Sequence, residues 1–92
     1  MSIQGMIKKQ DKRIKEQAIA LKPQVWIGKN GLTDQVIKQI NKLLKKRKLV
    51  KIKLLKSFLE TTDKKQAAKK LAKLTESEIV YATGFVVVLY KR

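Results

Sequence analysis

Residues 24–40 read QVWIGKNGLTDQVIKQI, and this stretch decides the fold. Val25, Trp26 and Ile27 are all β-favouring, and Gly28 stops them, which predicts a short strand. Lys29 and Asn30 follow, then a second glycine, Gly31, then the start of a helix. Thr33 can cap that helix, Asp34 suits the positive end of its dipole, and Leu32 and Ile37 are spaced as a hydrophobic staple. Val36, Ile37, Ile40, Leu43 and Leu44 fall on one face, while Lys38, Lys42 and Lys45 fall on the other.

Upstream, Ile7, Ile14, Ala18 and Leu21 recur at helical spacing among lysines, predicting a first helix from about Ile7 to Leu21. Pro23 supplies its stop and pushes Lys22 into an extended conformation. Downstream, Lys45, Lys46, Arg47 and Lys48 close the second helix, and the period then changes to two. Val50, Ile52 and Leu54 point one way and Lys51 and Lys53 the other, as in a strand with one buried face. Lys56 to Thr62 make a connection. A third helix runs from about Asp63 to Leu74, with Ala67, Ala68, Leu71, Ala72 and Leu74 inward. The ending SEIVYATGFVVVLYKR reads as two strands around Thr83 and Gly84. Its last run, Phe85 to Tyr90, is apolar on both faces, as a central strand is. Gly84 marks either a tight hairpin turn or a bulge. The order is α-β-α-β-α-β-β, without internal repeats, on one small domain of 92 residues.

Composition bounds the function. With 43% hydrophobic residues the chain folds, and a chain this short buries only about 60–65% of its unfolded surface, so each apolar run is needed for the core. The absence of cysteine excludes disulfides and thiolate metal sites, and agrees with a reducing, cytoplasmic location. The sequence shows neither a signal peptide nor a membrane-spanning run. Twenty-three Lys and Arg against seven Asp and Glu leave a net charge of +16, which repels itself in the isolated fold and calls for a polyanion. Nucleic acid leads, and an anionic membrane met by the first helix comes second. There is no histidine to act as a general base near neutral pH. Glu76 and Glu78 form the one close carboxylate pair, and they read as turn or strand-start residues. A binding protein is expected, not an enzyme, and without cofactor, metal or small-molecule substrate.

Between the strand and the second helix, Gly28-Lys29-Asn30-Gly31 has three useful properties. Its glycines permit backbone angles closed to other residues and let a ligand approach closely. The helix behind it offers unpaired N–H groups. Lys29 supplies a cation, and Asn30 both donates and accepts. The spacing alone is a weak pattern, because glycines at strand–helix turns are often purely structural. Asp34 also uses part of the helix dipole internally, so a phosphate would sit against Lys29 and the loop amides. Lys22 could flank the same loop. Lys45, Lys46, Arg47 and Lys48 read either as helix-terminal stabilisers or as contacts to the polyanion. Lys51 and Lys53 repel each other on one strand face, which a polyanion would offset. Trp26, Tyr81 and Tyr90 are core residues or stacking partners for bases. Trp26 is the best placed of these, since Val25 and Ile27 could face the core without it.

The stretch from Leu21 to Leu55 resembles the CRM domain, the chloroplast RNA splicing and ribosome maturation module, in its single-domain YhbY-like form. The pieces that carry the likeness are Leu21-Lys22-Pro23, a short apolar strand, Gly28-x-x-Gly31-Leu32-Thr33, an amphipathic helix and Leu49-Val50-Lys51-Ile52-Lys53. The ending GFVVVLYKR is similar to the family's closing strand, so the likeness runs from about Ile7 to Arg92. The sequence departs from the family at Trp26, where an aliphatic residue is usual, in an arginine-poor third helix, and in the compact turn before the last strand.

The resemblance implies an α/β (α+β) domain with an ordered core over about residues 7–92. It would have three helices on a four-stranded mixed sheet, similar to the C-terminal domain of bacterial translation initiation factor three. It also implies RNA binding, with precursors of the large ribosomal subunit as target and the GxxG loop, Gly28 to Gly31, as the expected contact. A monomer is expected. A general RNA chaperone or splicing role is the alternative, and non-specific DNA binding the next.

Overall fold

A computed structural model describes residues 11–91 of the chain. The elements are α1 (Asp11–Ala20), β1 (Val25–Ile27), α2 (Asp34–Arg47), β2 (Leu49–Leu54), α3 (Lys56–Leu59), α4 (Lys64–Thr75), β3 (Glu78–Thr83) and β4 (Val86–Tyr90). The expected start of the first helix at Ile7 lies outside the described residues. Among the described residues the expected three helices become four, because the connection after β2 contains the single turn α3. That turn forms around Phe58, which is buried and anchors the segment in the core.

The four strands form one mixed sheet in the order β1-β2-β4-β3. β1 runs parallel to β2, pairing Val25 with Ile52, Trp26 with Lys53 and Ile27 with Leu54. Parallel neighbours need a crossover, which α2 supplies. β4 lies antiparallel to both β2 and β3 and so is central, as its two-faced apolar sequence requires. Gly84 and Phe85 form the two-residue hairpin loop between β3 and β4, and Gly84 takes a φ of +56°, as tight hairpin loops demand. β4 therefore begins at Val86, and Phe85 belongs to the turn. A register irregularity does occur, but in β3 between Ile79 and Tyr81.

Strand alternation gives the sheet two faces. One carries Val25, Ile27, Val50, Ile52, Leu54, Val87 and Leu89, packed against Ile40 and Leu44 of α2, Phe58 of α3 and Ala67, Ala68, Leu71 and Ala72 of α4. The alanines let α4 lie close to the sheet. Leu74, expected inward, is instead 46% exposed. Thr75 takes the buried place one turn beyond Leu71, its hydroxyl donating to the Leu71 carbonyl at 2.6 Å and lying 2.7 Å from the Ser77 hydroxyl. The opposite face has a smaller cluster, in which Ala18 of α1 meets Val80 and Val88, with Ile14, Leu49, Tyr81, Val86 and Tyr90 around them. The irregularity in β3 places two consecutive residues, Val80 and Tyr81, in this cluster.

Candidate nucleic-acid interface

Thr33 caps α2 as its position suggests, its hydroxyl accepting from the Val36 amide at 3.2 Å. Ahead of the cap, the Gly31 amide donates to the Gly28 carbonyl at 2.9 Å, closing a tight turn with Lys29 and Asn30 at its tip. Both tip residues are exposed. Gly31 has a φ of +72°, which a side chain would strain. At Gly28 the constraint is crowding instead of backbone angle. A Cβ there would stand 3.1 Å from Leu55 Cδ1, because the Leu55 amide donates to the Ile27 carbonyl at 2.8 Å and draws the start of α3 against the loop.

The Leu54 amide donates to the Phe85 carbonyl at 2.6 Å. The loop, the end of β2 and the β3–β4 turn therefore lie at one end of the sheet. Lys53 sits at this end and is exposed. It pairs with Trp26 on one side and Val86 on the other, and Val86 pairs with Thr83, so the four residues form one row across the sheet. Trp26 is 55% exposed and projects away from the core that holds Val25 and Ile27, as their alternation suggests. On the other side of the loop an open groove of about 300 Å³ is lined by Gly31, Leu32, Phe58, Thr62, Gln66, Ala67 and Lys70. Gln66 and Lys70 become neighbours of the loop only because α4 packs beside α2, so local sequence carried no sign of them.

The other cations that the sequence singles out lie elsewhere. Lys22 is exposed but precedes β1, at the end of that strand away from the loop. Lys45, Lys46 and Arg47 are exposed in the last turn of α2, with Lys48 as its left-handed C-cap at φ +66°. The 14 residues of α2 put that cluster about 20 Å from the loop. Lys45 lines a second groove there, of about 340 Å³, with Asn41, Thr75 and Lys91. Lys51 is committed to the fold. Its ammonium donates to the carbonyls of Ala18, Ile19 and Leu21 at 3.2, 3.5 and 2.9 Å, closing the C-terminal end of α1. The structure thus places Lys29, Asn30 and Lys53 at one end of the sheet, sets Lys22 and the Lys45–Lys48 cluster apart from them, and holds Lys51 inside a helix cap. Among the described residues no group of acidic side chains is placed to hold a metal ion, and no helix is long and apolar enough to cross a membrane.

Comparison with known proteins agrees with this architecture. The chain is 39% identical over 83 residues to a probable RNA-binding protein of Methanocaldococcus jannaschii, covering 90% of this chain and 61% of that one. The chain therefore spans less than two thirds of that relative's length. It is 37% identical over 83 residues to the probable RNA-binding protein YqeI of Bacillus subtilis, covering 90% of this chain and 84% of that one. The solution structure of a hypothetical Staphylococcus aureus protein superposes with a TM-score of 0.77 at 32% identity, over 95% of this chain and 88% of that one. The family model of the CRS1 / YhbY (CRM) domain matches residues 6–91. That match spans nearly the whole chain, and the chain belongs to the CRS1 / YhbY (CRM) domain family.

Proposed function

We propose that this protein binds RNA, with ribosomal RNA in precursors of the large subunit as its target, and acts by binding, not by catalysis. The observation that carries the reading is the exposed Lys29–Asn30 turn, held by Gly31 at φ +72°, in a chain of net charge +16. The names of the archaeal and bacillary relatives support RNA binding, the coarser part of the reading. Long-range attraction captures the polyanion, and its backbone then seats against Lys29, Asn30 and the loop amides, with Lys53 beside them. Lys70 and Gln66 offer a second line of contact across the groove. The far cluster, Lys45 to Lys48, extends the footprint in this reading, and Lys22 contributes at the other end of β1. The assembly of ribosomes in the cytoplasm is where such a protein would work.

If about five phosphates are neutralised, log affinity falls with log salt at a slope of about −3.5 to −4.5. Crosslinking in the native cells, with a Lys29→Ala/Asn30→Ala variant in parallel, tests the assignment. A sharp peak on large-subunit ribosomal RNA that the variant loses is the expected result. Reads spread over messenger and transfer RNA would point to a general RNA chaperone instead. Equal affinity for duplex DNA, insensitive to the loop, would remove the reading altogether.

A further inference from the structure

Among the described residues, the face of the sheet that α1 shares is covered only in part. Ala18 packs over Val80 and Val88, and the ammonium of Lys51 is held under the end of α1. Two residues nearer the loop, the row Trp26–Lys53–Val86–Thr83 crosses all four strands. Trp26 is 55% exposed at one edge of that row, and Phe85, in the turn before Val86, is 51% exposed towards the other. No carboxylate belongs to the row. Trp26 and Lys29 are three residues apart, at most about 10 Å of extended chain.

We infer that Trp26 is a stacking platform for an unpaired base of a single-stranded RNA whose backbone runs over Lys53 and the Lys29–Asn30 turn. The inference rests on the RNA-binding reading and adds a base contact to a backbone contact. An indole next to an ammonium matches a nucleotide, which presents a π-face and a phosphate together. The surrounding positive charge selects this occupant over an apolar protein segment, which would leave Lys53 and Lys29 without counter-charges. A duplex is a poor occupant, because its bases are already stacked on one another and only splayed bases offer a free face. Lys53 serves as the positioning cation and Trp26 as the contact.

The chain has one tryptophan, so its emission reports on this position alone. A short oligoadenylate, a duplex RNA of similar length and inorganic polyphosphate are each titrated into the full-length protein, and binding is followed separately by displacement of a fluorescein-labelled oligoadenylate. The expected result is saturable quenching by oligoadenylate, with binding but no quenching by polyphosphate and duplex. Trp26→Ala weakens oligoadenylate binding about 5- to 150-fold, the equivalent of roughly 1–3 kcal/mol. Trp26→Phe restores most of the loss, and neither substitution alters the salt slope, because neither removes a charge. Full affinity in Trp26→Ala, unchanged emission at saturation, or equal quenching by polyphosphate each overturns the stacking while leaving RNA binding intact. No displacement by any RNA overturns both.

Discussion

Replacing Gly31 with alanine separates backbone strain from side-chain crowding in the loop. At Gly31 the Cβ of alanine has room, its nearest neighbour being Phe58 Cε1 at 3.8 Å, but φ is +72°. The cost is therefore backbone strain alone, about 1–2 kcal/mol. For a domain of this size each kcal/mol shifts Tm by about 4–8 °C, so Gly31→Ala should melt about 4–16 °C lower. Gly84→Ala is the matched control. Its φ is +56° and a Cβ there meets nothing within 4 Å, so its melting temperature should fall by a similar amount. At Gly28 the situation reverses. No positive φ is involved, and the 3.1 Å contact is with the flexible end of Leu55, a side chain 38% exposed that can turn aside. Gly28→Ala should change stability by no more than about 0.5 kcal/mol. Thermal melts of the three variants give the order, and binding of a labelled RNA at fixed salt gives the second readout. Gly31→Ala should weaken RNA binding, because relieving the strain swings Lys29 and Asn30 away from the turn closed by the Gly31 amide, whereas Gly84→Ala should not. A Gly31→Ala protein as stable as the parent, or one less stable than Gly84→Ala that binds RNA undiminished, would refute the argument.

Lys51→Met keeps the aliphatic stem and removes the ammonium from the three carbonyls at the end of α1. A loss of about 1–2 kcal/mol is expected, together with faster hydrogen exchange confined to α1; unchanged exchange there would show that the cap is idle. Asp63 accepts from the Lys65 and Gln66 amides at 3.1 and 3.2 Å, so Asp63→Ala should cost about 0.5–2 kcal/mol in urea denaturation. Glu76 ends α4 in the left-handed conformation at φ +51°, and Glu76→Gly should stabilise the domain by about 1 kcal/mol, seen as a Tm higher by about 4–8 °C.

Where the sequence was legible, a local pattern was enough. The cap at Thr33, the stop before Pro23 and the alternation from Val50 to Leu54 each depend on a few neighbouring residues, and each appears in the structure. Whether Trp26 lies inside or outside the core was open in the sequence; the structure puts it outside, because Val25 and Ile27 take the two core positions of β1. Lys51 was not legible. Alternation places it opposite Ile52, but which element lies over that face is set by α1, some thirty residues away. The same holds for Gln66 and Lys70, which meet the loop only because α4 packs beside α2. Phe58 sits in a polar stretch too short to show a period, so the turn it anchors passed as a connection. At the end of α4 hydrophobicity misled. Leu74 is apolar yet lies off the inner stripe, while Thr75 lies on it and satisfies its hydroxyl internally.

The two outer strands of the sheet have a bearing on behaviour in a crowd. An RNA chain gathers many copies of a cationic protein and neutralises the repulsion that keeps them apart. Bare strand edges would then be free to zip together into aggregates. Here one edge, β1, is only three residues long and is bounded by Pro23 and Gly28. The other, β3, is broken in register between Ile79 and Tyr81. Neither offers a long, flat template, so copies crowded along one RNA can stay separate folded units even after their charges have been cancelled.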